Sequence, residues 1–463
     1  MLTAADNEML TRTGAGTPMG ALFRSFWMPV LLCEQLPEPD GPQVRVRILG
    51  EDLLAFRDSS GAVGLVQRRC PHRGADLFFG RNEEGGIRCV FHGWKFNRRG
   101  ECLETPTVPP EAAPRMCEKA RIRAYETAEW GGMVWAYMGT QQPAPPLPQM
   151  EFALVPESHR HASKKLQECN WAQAAEGAVD TAHFSFLHQP VSQAEESEED
   201  AREKAARATR GYAKGTMGHE HVRWMRDDAR PRYDVKKHEA GLVLGTSRQA
   251  DAGQRYWRIA QYLMPNHAYT PSATPGQTYH GQTFVPIDDE SCWIFVYSWN
   301  PDRPLSDEER AGYRAGGAVY PVVDADYLPL RNRGNDYLLD RRMQQTENFT
   351  GIVGVSEQDA AIQDSQGRIA DRTRELLGPT DVGVVQFRRL LLDAAKAQQA
   401  GTPHEAIARP NSYRVRAGGI VAPAEASFAE VMNTRFGDER GAIRAPAAGF
   451  IPPTPAPAHS TPR

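Results

Sequence analysis

Two short segments in the first quarter of the chain each combine a cysteine with a histidine. Cys70-Pro71-His72 and Cys89-Val90-Phe91-His92 are separated by sixteen residues, giving C-x-H followed by C-x-x-H. Two thiolates on one iron and two neutral imidazoles on a second iron would hold a [2Fe–2S] cluster that relays electrons. The same four ligands around one tetrahedral ion would form a structural zinc site instead. Ligand types alone leave both alternatives open.

A second group of metal-ligating residue types lies in a stretch that predicts a helix over residues 170–187. Glu176, Asp180 and His183 are spaced i, i+4 and i+7, so they would share one face of that helix. Two carboxylates and an imidazole make this face too polar to be buried in an ordinary core. On a continuous helix, His188 would lie about 140° around the helix axis from His183. Both imidazoles can therefore meet one ion only if the helix ends or distorts between them, which a nearby proline would permit.

Two imidazoles leave the facial triad of a non-haem Fe(II) site short of one carboxylate. The stretch from residue 356 to 365 offers two candidates, Asp359 and Asp364. By spacing alone, Asp359 is better explained by a capping box with Ser356, because S-x-x-D satisfies the first amides of a helix.

The residues around these groups resemble those of a known family. The two loops continue as Arg73-Gly74-Ala75 and Gly93-Trp94-Lys95-Phe96, and Asn170-Trp171 precedes the pattern E-x3-D-x2-H-x4-H. Together they are similar to the large subunit of Rieske non-haem iron oxygenases, from about residue 1 to 440. Four further segments resemble its phthalate-dioxygenase-like branch, which includes aromatic O-demethylases: Met1-Leu2-Thr3, Pro18-Met19-Gly20, Trp27-Met28-Pro29-Val30 and Gln358-Asp359-Ala360.

The resemblance implies two cofactors and a role for each residue singled out above. Cys70, His72, Cys89 and His92 would bind the [2Fe–2S] cluster. His183, His188 and Asp359 would bind a mononuclear Fe(II), which outweighs the capping interpretation of Asp359. Asp180 would connect that iron to a Rieske histidine for electron transfer across a contact between subunits. Glu176 would support the site without binding the iron.

The resemblance also implies an activity and partners. The chain would be the oxygenase component of a multicomponent system that uses O2 and electrons from a separate NAD(P)H-dependent reductase, with or without a ferredoxin, to hydroxylate a carboxylated aromatic. Family members assemble as head-to-tail trimers or multiples of trimers. An alternative within the family is an aromatic O-demethylase. An alternative of another class is a non-enzymatic Rieske electron carrier or a zinc-binding protein.

A carboxylated substrate calls for a cation in the pocket, and a guanidinium can grip a carboxylate through two parallel hydrogen bonds. Arg248, Arg255 and Arg258 are available between the second metal group and Asp359. We select Arg248, because it follows the predicted strand 241–246 and precedes a turn, where a strand end can face a cavity mouth. A solvated strand-end cation is the alternative.

The alternating patterns predict an α+β protein with two domains. Short strands separated by turns, among them 44–49, 52–57, 63–67 and 133–138, predict an all-β Rieske domain over residues 26–142. Residues 143–440 would form the catalytic domain, a curved antiparallel sheet wrapped by helices, with residues 1–25 packed on it. Its predicted strands are 241–246, 256–263, 281–285 and 291–299. The charged stretch 191–212 is predicted as a solvated helix or loop, and the Pro/Ala-rich tail 441–463 as disordered.

Composition excludes several other classes. The 463 residues carry a net charge of −4 and show no basic face, which argues against nucleic acid as a partner. No apolar run is long enough to span a bilayer, and we expect a cytoplasmic protein. With seven cysteines and no secretion signal, thiols or metal ligands are expected rather than a disulfide framework. Cys102 and Cys117 have no matching spacing and are interpreted as core or surface thiols.

Overall fold

The computed structural model describes residues 1–191, 218–271 and 276–443, together with positions 197, 199, 200, 203 and 204. Most of the predicted charged stretch 191–212 lies outside the described residues. So does the predicted tail from residue 444 onward.

An all-β module occupies the N-terminal third of the chain, as the turn-punctuated strands predicted. Its larger sheet has six antiparallel strands in the order β1-β10-β9-β4-β3-β2. A second sheet runs β5-β6-β7-β8 and carries the loop between Cys89 and His92 at its β6–β7 connection. The strands are β1 Trp27–Leu32, β2 Val44–Ile48, β3 Glu51–Arg57, β4 Val63–Gln67, β5 Arg81–Glu83, β6 Gly86–Arg88, β7 Lys95–Asn97, β8 Cys102–Glu104, β9 Ala124–Trp130 and β10 Met133–Tyr137.

A broad antiparallel sheet organises the C-terminal module. Its order is β11-β17-β16-β15-β14-β13-β12, and β18 pairs with the first half of β14. The predicted strands are found with boundaries that shift by a few residues. They are β11 Arg160–Gln167, β12 Arg232–His238, β13 Gly241–Gln249, β14 Gln254–Leu263, β15 His267–Tyr269, β16 Tyr279–Pro286, β17 Cys292–Trp299 and β18 Gly418–Pro423.

Helices cover this sheet, which confirms the α+β class. Two N-terminal helices, α1 and α2, pack on the long helix α10 of the C-terminal module. The helices are α1 Ala4–Thr11, α2 Pro18–Arg24, α3 Ala113–Lys119, α4 Glu151–Leu154, α5 Trp171–Val179, α6 Gly218–Asp227, α7 Asp307–Arg314, α8 Arg341–Thr346, α9 Val355–Ser365, α10 Val382–Gln399 and α11 Phe428–Phe436. Short 3-10 turns include His183–Ser185 and Arg333–Leu338.

The predicted continuous helix over 170–187 is wrong in its second half. Helix α5 begins at the Asn170 cap, whose side chain accepts from the amide of Ala172, and it ends at Val179. Asp180 adopts an extended backbone, and its Oδ1 accepts from the amide of Ala182 at 2.7 Å. An Asp side chain that bonds two residues ahead offers the backbone an alternative to the helix, so the chain turns there.

One cross-strand row positions the site on the sheet. Lys165 of β11 pairs with Ile294 of β17, which pairs with Phe284 of β16, so the three side chains share one face. Helix α5 packs on β14, β15 and β16. Helix α9 packs on α5 and reaches the sheet through the hydrogen bond from Lys165 to Ser356. The candidate site lies in the layer between the sheet and these two helices.

Candidate functional site

Three side chains from separate segments converge above the sheet. The ligand atoms of His183, His188 and Asp359 all lie within 4.8 Å of one another. Oδ1 of Asp359 is 3.2 Å from Nε2 of His188 and 3.7 Å from Nε2 of His183. Both Nε2 atoms are buried and have no hydrogen-bond partner among the described residues. Two imidazole nitrogens and one carboxylate oxygen aimed at a common point fit a divalent metal ion.

The other nitrogen of each imidazole is held by a fixed acceptor. Nδ1 of His183 lies 3.2 Å from Oδ2 of Asp180, and Nδ1 of His188 lies 2.7 Å from Oε1 of Gln358. The Gln358 amide donates to the carbonyl of Ile352 at 2.8 Å, which turns its oxygen toward His188. Each Nδ1 therefore carries the proton and each Nε2 presents its lone pair to the site.

The charges around this point favour a bound cation. Burial by itself would raise the pKa of Asp359, but the neighbouring His188 and His183 bring it below its usual value. Burial likewise opposes ionisation of Asp180, and the hydrogen bond from His183 lowers the pKa of that carboxyl. Two carboxylates thus remain ionised around the imidazoles, an arrangement that a divalent ion would neutralise.

Helix α9 places Asp359, and not Asp364, beside the two imidazoles. The helix begins at Val355, so Ser356 is inside it, and its hydroxyl accepts from Nζ of Lys165 at 2.7 Å rather than capping an amide. The capping interpretation of Asp359 is therefore wrong. Asp364 lies away from the imidazoles, where its carboxylate accepts from Gln167 at 2.7 Å and from the hydroxyl of Tyr337.

Glu176 does not share a face with His183, because the helix ends between them. Its Oε1 is 2.8 Å from Nε of Arg372 and 2.7 Å from Nε of Arg388. Both arginines are almost fully buried. Glu176 therefore anchors α5 to the C-terminal part of the chain, one turn before Asp180, and supports the site only through that helix.

The two Cys/His segments of the N-terminal module form a matched pair of turns. The amides of Gly74 and Gly93 donate to the carbonyls of Cys70 and Cys89, each at 2.9 Å. Both glycines have φ of +73°, a conformation that favours glycine in tight turns. The backbone geometry that presents the first cysteine is thus repeated for the second.

The side chains of these turns also pair. The thiols of Cys70 and Cys89 are buried and close enough to interact electrostatically, and the rings of His72 and His92 lie 4.5 Å apart between centroids. Trp94 stacks on His72 at 4.4 Å. Sulfur ligands on one side and imidazoles on the more exposed side fit a [2Fe–2S] cluster with unlike ligand pairs on its two irons.

Arg248 does not lie at a cavity mouth, contrary to the prediction. Its side chain is fully buried, and its guanidinium donates to the carbonyl and hydroxyl of Thr181 at 2.6 and 3.1 Å and to the carbonyl of Asp228. It braces the turn that follows Asp180. The prediction missed this because the packing of that turn on β13 is a tertiary contact.

Two cavities meet at His183. The inner one encloses about 60 Å³, less than an aromatic ring fills, and is lined by Asp359, Arg258, Lys165 and apolar side chains including Phe284. The outer one encloses about 1030 Å³ and is bordered by Phe186, Phe349, Ile352 and Ile362 among others. Because His183 lines both cavities, the outer one borders the metal-binding group directly.

Comparison with known proteins agrees with both halves of this description. Residues 26–126 match the Rieske [2Fe-2S] domain, and residues 136–423 match the family described as LigXa C-terminal domain like, which spans more than half of the chain. The chain belongs to the Rieske non-haem iron oxygenases. The resemblance seen in the sequence is confirmed, and the electron-carrier and zinc-protein alternatives are set aside.

Relatives of this oxygenase cover most of its length. The oxygenase subunit of phthalate 4,5-dioxygenase from Pseudomonas putida is 40% identical over 87% of this chain and 88% of its own. The oxygenase subunit of 3-chlorobenzoate-3,4-dioxygenase from Comamonas testosteroni is 38% identical over 86% and 90%. The oxygenase subunit of 5,5'-dehydrodivanillate O-demethylase from Sphingobium sp. (strain NBRC 103272 / SYK-6) is 32% identical over 88% and 84%.

A solved structure confirms the fold of the oxygenase. Dicamba monooxygenase bound to 3,6-dichlorosalicylic acid superposes with a TM-score of 0.54 at 15% identity, covering 81% of this chain and 98% of its own. Because the relatives are named as oxygenase subunits, the electrons come from a separate reductase component. Among the residues described in the structure, no helix is long and apolar enough to cross a membrane.

Proposed function

We propose that this oxygenase hydroxylates a carboxylated aromatic substrate, using O2 and electrons from an NAD(P)H-dependent reductase. A buried cation beside the metal-binding group is the observation that supports a carboxylated substrate. Arg258 lines the inner cavity together with His183 and Asp359, and its guanidinium lies 4.2 Å above the ring of Phe184. A buried guanidinium next to the reacting centre is suited to hold a carboxylate through paired hydrogen bonds.

Arg258 takes over the role that the sequence suggested for Arg248. Lys165 supplies a second cation on the same cavity wall, and its Nζ donates to both oxygens of Ser356. Burial lowers the pKa of Lys165, although Asp359 and Glu357 favour its charged form. Phe284 and other apolar side chains also line this small inner cavity, and the larger outer cavity meets it at His183. This arrangement suits an aromatic ring that lies in the outer cavity with its acid group directed toward Arg258.

The residues proposed to hold the cofactors follow from the donor sets. Cys70, His72, Cys89 and His92 would bind the [2Fe–2S] cluster. His183, His188 and Asp359 would bind the mononuclear iron, which leaves coordination positions open for O2. Iron bound there supplies the oxygen chemistry, while this chain's own residues orient the imidazoles, hold the substrate and exclude water.

Subunit assembly is part of the proposal. His72 is exposed, and the tip of the second loop bears Val90 and Phe91, whose surfaces are 59% and 52% accessible. Asp180 is also partly accessible, at 25% of its side chain. We propose that the loop tip of one subunit docks beside Asp180 of the next in a homotrimer or multiple of it, so that the carboxylate joins the two metal centres.

Oxygen uptake tests the proposed activity. The purified protein should be red-brown, carry roughly three irons per chain, and consume O2 with a reductase and an aromatic acid while forming a hydroxylated product. A panel should pair benzoates and phthalates with methoxy-substituted aromatics, because one relative is an O-demethylase. Formaldehyde release from the methoxy compounds alone would establish demethylation instead. A colourless zinc protein would overturn the proposal.

A further inference from the structure

The described residues contain a second sulfur pair next to the cluster site, Cys102 and Cys117. Cys102 lies in β8 and Cys117 in α3, and these elements pack on each other. Their Sγ atoms are 3.1 Å apart, closer than van der Waals contact between two sulfur atoms, and both residues are only half-buried. Both are free thiols, in agreement with the prediction of core or surface thiols. Their contact is not evident from their spacing, because it arises where α3 folds back onto β8.

The chain between the two cysteines, residues 103–116, lies behind the second cluster loop. A Cβ added to Gly93 would come within 2.7 Å of Cγ of Pro106, so this segment touches the loop backbone directly. The indole of Trp94 donates to Thr107 at 3.4 Å and stacks on His72. Movement of this segment would therefore disturb the loop that presents a cysteine and a histidine to the cluster.

The thiols are also arranged for a defined reaction order. Cys102 donates its hydrogen to the sulfur of Cys117 and packs against the cluster-side core. Burial, followed by this hydrogen bond, raises the pKa of Cys102 to about 12. Because the Cys117 sulfur accepts this hydrogen bond, we assign the first attack to Cys117, and Cys102 supplies its proton in the second step.

We propose that Cys102 and Cys117 form an oxidisable dithiol whose disulfide fastens residues 103–116 against the cluster loops. The two sulfurs need to approach by only about 1 Å to reach bonding distance. A disulfide that closes this segment removes open conformations from it, so the oxidised form should retain its cluster longer.

The oxidant we name is hydrogen peroxide, the two-electron reduction product of the O2 that the enzyme handles. The Cys117 sulfur attacks one peroxide oxygen, so that an S–O bond forms, the O–O bond breaks and the released oxygen leaves as water. Cys102 then attacks the Cys117 sulfur, the S–O bond breaks, and a second water leaves with the Cys102 proton. Two thiols lose two electrons and two protons, and one peroxide becomes two waters.

The test titrates the purified holoenzyme with hydrogen peroxide, alkylates the remaining thiols and maps the peptides by mass spectrometry. We expect the peptides containing Cys102 and Cys117 to become linked, with the loss of two hydrogen masses, before the visible cluster absorption declines. Dithiothreitol should restore both thiols. Cys33→Ser, which alters another half-buried cysteine of the same module, should leave this linkage unchanged.

A second measurement tests whether the disulfide slows the loss of the cluster. The rate of cluster loss in the presence of a chelator should be several-fold slower for the oxidised than for the reduced wild type. Cys102→Ser and Cys117→Ser should each abolish that difference. Two variants are measured so that a folding defect in one of them still leaves the other as a test. Cluster bleaching before linkage, linkage of either residue to Cys70 or Cys89, retention of zinc by the two thiols, or equal loss rates would overturn the proposal.

Discussion

Nδ1 of His188 lies 2.7 Å from Oε1 of Gln358, the residue immediately before Asp359 in helix α9. One helical segment thus supplies both the carboxylate that faces the imidazole and the amide that orients it. The side-chain amide of Gln358 donates to the carbonyl of Ile352, so the acceptor that orients the His188 ring is itself held in place. Such contacts set the tautomer of a ligating histidine and the basicity of its free nitrogen.

Replacing Gln358 by Leu keeps the buried volume but removes the acceptor on His188. We expect the mononuclear iron affinity to fall by about 10- to 100-fold, with the Rieske absorption unchanged. Iron titration of the chelator-treated protein measures this. Gln167→Leu is the matched control, because Gln167 is equally buried and contacts the same helix through Asp364 without touching an imidazole. An affinity loss of equal size in the control would mean that α9 had shifted as a whole.

Substitution of a proposed iron ligand should separate the two metal centres. His183→Ala and Asp359→Ala are each expected to remove mononuclear iron and turnover, because each takes away one of three ligating side chains. The Rieske spectrum should persist, since its proposed ligands lie in another module. Metal analysis with electron paramagnetic resonance of the reduced protein measures both. Normal mononuclear iron and activity in Asp359→Ala would contradict the proposed role, and Asp364 would then be tested.

The short-range features of the site can be predicted from local sequence patterns, whereas the long-range ones need the family resemblance or the structure. The Cys/His loops are local turns, so their spacing alone groups their residues. Asp359 comes from a segment remote in sequence: its spacing to Ser356 indicates a cap, and only the family resemblance predicts it as an iron ligand. The helix prediction ran past Val179 because periodicity does not register the competing Asp180 turn. Position in the sequence favours Arg248 over Arg258, since only the packing of β13 and β14 shows which guanidinium faces the cavity.

Asp180→Asn should retain both metals and slow electron transfer between subunits. The substitution keeps the size and the bond to the amide of Ala182 but removes the charge opposite His183. Single-turnover oxidation of the reduced Rieske centre, followed by stopped-flow absorption, should be markedly slower than in the wild type. Tyr233→Phe is the control, because its hydroxyl lies 3.5 Å from Asp180 and carries no charge. An unchanged rate in Asp180→Asn would rule out the proposed path.

The remaining prediction concerns substrate recognition by Arg258. Arg258→Met removes the guanidinium beside the iron-binding group but fills much of its space above Phe184. A charge-assisted hydrogen bond to a buried partner contributes about 1.5–3 kcal/mol, so KM for an aromatic acid should rise roughly tenfold or more. The uncharged amide of the same acid should be affected far less, because it never paired with the cation.

Arg255→Met is the matched control for that comparison. Arg255 belongs to the same strand, three residues earlier and on the opposite face, where it donates to Ser247. Arg255→Met should lower the melting temperature of the protein without producing a difference in KM between the acid and the amide. Arg248→Met should behave similarly, since its guanidinium holds the turn at Thr181. If Arg258→Met raises KM equally for acid and amide, the cation does not bind the carboxylate, and Lys165 becomes the residue to test on the same cavity wall.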